Sequence, residues 1–126
     1  MTHRILIVDD EPNIVTSLQF LMNRRGYTTH VARNGEEALA AVETFRPDLL
    51  LLDVNMPMVD GYEVAQRLRD AGWNQLRIVM LTAKGREAEV AKGMAVGADL
   101  YVTKPFSTRD LVDQVAQLLG PAEAAQ

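Results

Sequence analysis

Leu49-Leu50-Leu51-Leu52-Asp53 constrains this chain more than any other stretch. Four consecutive leucines lie between Pro47 and Pro57, and the run ends on a carboxylate. The prolines leave too little room for an ordinary helix, and a segment apolar at every position suits a strand buried on both faces. Such a strand belongs at the centre of a parallel sheet. In open α/β sheets, ligands gather beyond the carboxyl ends of the strands, so Asp53 stands where a site is expected. Its partners should come from the other strand exits.

The flanking sequence supplies them. Ile5 to Val8 reads as a first strand closing on Asp9-Asp10-Glu11, and Pro12 then opens a helix at a position where its missing N–H is not needed. Ile14, Val15, Leu18, Leu21 and Met22 form that helix's apolar face, stopped by Arg24-Arg25-Gly26. Tyr27 to Val31 reads as a second strand. Asn34 with Glu37 three residues on caps a second helix, whose apolar side is Ala38, Leu39, Val42 and Phe45. After the leucine strand, Asp60-Gly61 begins a third helix (Val64, Ala65, Leu68, Ala71) that Gly72 ends. Arg77 to Leu81 is a fourth strand ending on Thr82, and Val90, Ala91, Met94 and Ala95 give a fourth helix its apolar side. Leu100 to Val102 is a short fifth strand before Lys104-Pro105. Ser107 opens a last helix with Leu111, Val112, Val115, Leu118 and Leu119 inward, and Gly120-Pro121 stops it.

Five strand-then-helix units in strict alternation predict an α/β fold: a doubly wound, five-stranded parallel sheet with five helices in three α/β/α layers. The flavodoxin-like order 2-1-3-4-5 sets the first and third strands side by side. Asp9, Asp10 and Asp53 then converge. The expected domain covers residues 1–120, with 121–126 a short flexible tail or the start of a linker.

Composition narrows the function. With 126 residues, 48% of them hydrophobic, one domain can bury a real core, and the absence of cysteine excludes disulfides and thiolate chemistry. A net charge of −4 lacks the basic footprint that direct nucleic-acid binding requires. No run reaches membrane-spanning length, and the start shows no signal-peptide pattern, so a cytoplasmic protein is expected.

Asp9 and Asp10 after the first strand, Asp53 after the third, Thr82 after the fourth and Lys104 after the fifth, with Met56-Pro57, Asp60-Gly61, Gly97-Ala98-Asp99 and Lys104-Pro105-Phe106, together resemble the receiver domain of bacterial response regulators, chemotaxis type included. The likeness runs from about Arg4 to Leu119. It implies a two-component signalling protein and not an enzyme on external substrates: a sensor histidine kinase or histidine phosphotransfer protein delivers a phosphoryl group to Asp53. It further implies that Asp10, Asp53 and the backbone carbonyl of Asn55 hold Mg²⁺, with Asp9 assisting through water and Mn²⁺ as an alternative ion. By the same resemblance Lys104 and Thr82 contact the phosphoryl group, Thr82 and Tyr101 form a switch, Asn55 and Lys84 tune phosphoryl lifetime, and Lys104–Pro105 is a cis peptide. An output protein or domain would bind near the fourth helix, fifth strand and fifth helix.

The residues make chemical sense of this. Clustered carboxylates demand a compensating cation, and an all-oxygen donor set suits a hard divalent ion. Three aspartates, one lysine and Mg²⁺ sum to zero charge. A rival is the haloacid dehalogenase type of Mg²⁺-dependent phosphatase, which also forms an aspartyl phosphate. Its motif wants an aspartate as general acid two residues after the nucleophile, where Asn55 cannot transfer the proton. A flavin module of the same topology would want Ser, Thr and Gly after the first strand, not Asp9-Asp10-Glu11. Winged-helix relatives typically carry two acids before the switch aromatic and arginines on the fourth and fifth helices. Asp99-Leu100, Val90 and Gln114 depart from that pattern, so a monomer or weak, differently formed dimer is expected. His3 and His30 are placed away from the site, the latter at the end of the second strand, and Trp73 is expected to anchor its loop.

Overall fold

The structure is a computed structural model that describes residues 3–54, 56, 59–82 and 87–119, with backbone alone for 87–89. The chain alternates β1 (Arg4–Val8), α1 (Pro12–Arg24), β2 (Thr28–Ala32), α2 (Gly35–Phe45), β3 (Leu49–Asp53), α3 (Gly61–Asp70), β4 (Arg77–Thr82), α4 (Glu87–Ala95), β5 (Leu100–Thr103) and α5 (Thr108–Leu119). All strand pairs are parallel, in the order β2-β1-β3-β4-β5. The expected topology is therefore observed, with β3 central.

Strand alternation divides the core between two faces. Leu6, Val8, Leu50, Leu52, Ile78 and Met80 face α2 and α3, whereas Ile5, Ile7, Leu49, Leu51, Val79 and Leu81 face α1 and α5. Each of the four leucines of β3 is wholly buried, which contributes about 1.5–3 kcal/mol per side chain. Local signals set the helix starts. The Asn34 side chain accepts from the Glu37 N–H at 2.9 Å, and Asp60 accepts from Glu63 at 3.0 Å. Gly26 and Gly72 follow α1 and α3 with positive φ, as stop signals require.

Three readings need correction. β2 begins at Thr28 and extends to Ala32, so Tyr27 precedes it and His30 lies exposed within it, not at its end. β5 continues one residue further, to Thr103, which stays paired with Thr82. The apolar stripe of α4 does not face the core: Ala91 and Ala95 are exposed and Met94 is 46% exposed. Among the described residues of α4, Gly93 is the buried one that meets the sheet, where the Tyr101 ring and the Met80 sulfur occupy the space a larger side chain would need.

The N-terminal ends of β4 and β5 are held by Arg69 of α3. Its guanidinium donates to the carbonyls of Gly97, Trp73 and Leu76 and pairs with Asp99 at 3.2 Å. Asp99 accepts from the Ile78 N–H at 2.8 Å and lies 3.7 Å from Arg77. Trp73 packs against the core under the Arg46 guanidinium, the anchor its loop position implies.

Candidate phosphoacceptor site

Register brings the acids together. Val8 pairs with Leu52, so the next residue in each strand direction, Asp9 and Asp53, emerges side by side at the exit rim and, by alternation, on the α1/α5 face. Asp9 is 1% exposed and Asp53 4%, whereas Asp10 is exposed. One ligand oxygen from each of the three lies within 4.8 Å of the others. Asp9 is fixed further by its Oδ1 accepting the Glu11 N–H at 2.9 Å.

Lys104 reaches this cluster from beyond β5. Its backbone N–H donates to the Thr82 carbonyl at 2.6 Å, and its Nζ lies 3.2 Å from Asp9 Oδ2 and 3.5 Å from Asp53 Oδ1. The lysine thus pairs directly with Asp9, a contact that the sequence did not signal. The Lys104–Pro105 peptide is cis, as the resemblance implies. Thr82, the last residue of β4, is wholly buried.

Charge is incomplete in this arrangement. Among the described residues three carboxylates meet one ammonium, and two like charges about 4 Å apart repel by about 4 kcal/mol at an effective dielectric of 20. A hard divalent cation relieves that repulsion, and the donor set is all oxygen. The residues present therefore fit Mg²⁺.

Glycine allows a close approach behind Asp53. A Cβ on Gly61 would stand 2.7 Å from the Asp53 carbonyl oxygen and 2.8 Å from Val54 Cα, and the Gly61 N–H donates to the Val54 carbonyl at 3.1 Å. The first turn of α3 is consequently seated on the backbone that carries Asp53. In the sequence Asp60-Gly61 marks the start of α3 and belongs to the family motif; the close approach of Gly61 to Asp53 arises from the packing of α3 on the end of β3.

Tyr101 stands opposite Met80 in the β4–β5 register, and Thr103 opposite Thr82, so Thr82 and Tyr101 share a face two positions apart. The Tyr101 hydroxyl lies 3.1 Å from that of Tyr62 on α3. Tyr62 carries no sequence motif and was not foreseen. Asn55, Met58, Ala83, Lys84 and the tail from Gly120 lie outside the described residues, whereas Met56 is buried in the α2/α3 core.

The family model described as the response regulator receiver domain matches residues 5–116. The chain belongs to this family. As a receiver domain it is 46% identical over 125 residues to the alkaline phosphatase synthesis transcriptional regulatory protein PhoP of Bacillus subtilis (strain 168), covering 99% of this chain and 52% of that protein. The receiver domain thus spans about half the length of that curated relative. Among solved structures, a putative response regulator from Chloroflexus aurantiacus is 36% identical with a TM-score of 0.87, covering 94% of this chain and 98% of that one. The chemotaxis protein CheY4 of Vibrio cholerae is 29% identical with a TM-score of 0.87, covering 94% and 99%.

Proposed function

We propose that this receiver domain takes a phosphoryl group from a sensor histidine kinase or a histidine phosphotransfer protein onto Asp53 and thereby changes the surface it offers to an output partner. The observation that carries this reading is the convergence of the Asp9, Asp10 and Asp53 oxygens within 4.8 Å beside the Lys104 ammonium. In the transfer, an Asp53 carboxylate oxygen forms the new P–O bond while the P–N bond of the donor phosphohistidine breaks, and the imidazole leaves with that electron pair. Phosphoryl transfer is catalysed chiefly by positioning and electrostatics, which is what this rim provides.

Asp10, Asp53 and the Asn55 carbonyl would hold Mg²⁺ or Mn²⁺, with Asp9 supporting them; the bound ion neutralises charge on the transferring oxygens. Lys104 adds a second positive charge, and the Thr82 hydroxyl donates to a phosphoryl oxygen. Asn55 and Lys84 govern how water reaches the acyl phosphate and so its lifetime. Drawing Thr82 toward the phosphoryl group leaves room that the Tyr101 ring fills, and a bias of a few kcal/mol between the two arrangements suffices.

The output surface is placed at α4, β5 and α5, where Met94 is already exposed. The name of the Bacillus subtilis relative, a transcriptional regulatory protein, favours control of transcription as the eventual output. The domain's site of action in this reading is the cytoplasm; among the described residues no helix is long and apolar enough to cross a membrane.

Incubation with acetyl phosphate and Mg²⁺, followed by intact-mass measurement, tests the reading. One phosphoryl adduct is expected on the parent and none on Asp53→Asn; an equal adduct on both would refute it. Steady turnover of phosphate esters would instead support the phosphatase reading.

A further inference from the structure

We infer that Tyr62 is a positioning residue that couples the phosphoacceptor's own turn to the Tyr101 ring, forming a link to the α4–β5 face separate from Thr82. This inference rests on the reading of Asp53 as the phosphoacceptor. Three observations join into one mechanical path. Gly61 seats the first turn of α3 against the Asp53 carbonyl and the Val54 backbone, with no room for a Cβ between them. The adjoining Tyr62 is 7% exposed, so its ring has little freedom to move independently of that turn. Its hydroxyl is 3.1 Å from the Tyr101 hydroxyl, and the Tyr101 ring lies on α4 at Gly93, where an added Cβ would be 2.8 Å from Cδ2 and 3.0 Å from Cε2.

The partly buried Tyr101 ring is therefore held inward at its hydroxyl end by α3 and along its edge by α4. Lys92 of α4 places its ammonium 4.4 Å from the centre of the Tyr62 ring, which brings both helices to the same aromatic pair. A shift of the Asp53 backbone on gaining a phosphoryl group reaches Tyr62 through Gly61 and is passed to Tyr101 by the hydroxyl pair. Because this pair stabilises the inward ring, it strengthens binding of any group at Asp53 that favours the same arrangement.

Beryllofluoride with Mg²⁺, a mimic of the acyl phosphate, tests the coupling on protein labelled with fluorotyrosine, whose three tyrosines give three ¹⁹F resonances. Tyr62→Phe keeps the ring and removes the hydroxyl. Beryllofluoride affinity should fall about fivefold, the fold-change of one net hydrogen bond, and the Tyr101 resonance should move in the absence of ligand. Tyr101→Phe should cost a similar factor, and the Tyr62→Phe/Tyr101→Phe double variant no more than either alone. Parental affinity in Tyr62→Phe, or additive losses in the double variant, would overturn the coupling while leaving the phosphoacceptor reading intact. Beryllofluoride binding that survives in Asp53→Asn would instead overturn both.

Discussion

The two rims of the sheet each set cations among carboxylates, and they leave charge of opposite sign unmatched. At the N-terminal rim, Arg69 and Arg77 share one carboxylate, Asp99, and Arg69 satisfies its remaining donors on three backbone carbonyls. Among the described residues at the exit rim, one ammonium, Lys104, serves Asp9 and Asp53 while Asp10 adds a third negative charge. The first is a closed clamp that joins α3, β4 and the turn before β5. The second is open to a cation because its own electrostatics are unfinished. Stability and the proposed reactivity thus fall at opposite ends of the same strands.

Substitutions at each end should break different properties. Asp53→Asn should abolish labelling by acetyl phosphate, by more than about a hundredfold in initial rate, without lowering the urea midpoint in Mg²⁺-free buffer, since it removes one of the repelling charges. Arg69→Ala should do the reverse. Removing the donor to three carbonyls and the nearer of the two cations beside the partly buried Asp99 should cost about 2–4 kcal/mol by urea titration, with Mg²⁺ affinity unchanged within about twofold. A fall in Mg²⁺ affinity comparable to the fall in stability would show that the rims are not independent.

Mg²⁺ itself sharpens the contrast. At about a hundred times its dissociation constant it should stabilise the folded chain by about 2.7 kcal/mol. Arg69→Ala should retain that increment and Asp10→Asn should lose most of it. Lys104→Met removes the competing ammonium, so Mg²⁺ should bind severalfold more tightly, while acetyl phosphate labelling slows by about tenfold or more. Tighter metal binding with undiminished labelling would deny Lys104 its part in transfer.

The smallest effect belongs to Tyr27, which immediately precedes β2 at the N-terminal rim. Burial pushes its hydroxyl above the ordinary value of 10.0, partly opposed by the charge of Arg25. The phenolate is thus favoured in the unfolded chain. Stability from this group is full below about pH 10 and is lost as pH rises through the folded-state value. Tyr27→Phe should flatten the drop in urea midpoint between about pH 9 and about pH 11, with no change in Mg²⁺ response.

Much of this was legible in sequence because it depends on local pattern. The leucine run located β3, and the alternation of strand and helix motifs gave the sheet order; Asn34 and Asp60 announced their caps. The convergence of Asp9, Asp10, Asp53 and Lys104 was legible because each ends or closely follows a strand. What sequence hid depends on neighbours distant in the chain. Arg69 resembles any helical arginine until Gly97 and Asp99 are brought beside it. Tyr62 carries no motif, and its hydroxyl comes beside that of Tyr101 through the fold, across the gap to β5. The α4 stripe misled because periodicity records an apolar side without saying whether anything covers it, and here Gly93 rather than Met94 meets the sheet.

The pairing of Ile5 through Val8 with Leu49 through Leu52 makes β1 and β3 a pair of matched rulers. One residue inserted into either would carry its terminal acid about 3.3 Å past its neighbour and turn it toward the opposite layer. Helices and surface turns can lengthen or shorten without that penalty. Descendants of this chain are accordingly free to vary in their connections, but the two inner strands must keep step with each other.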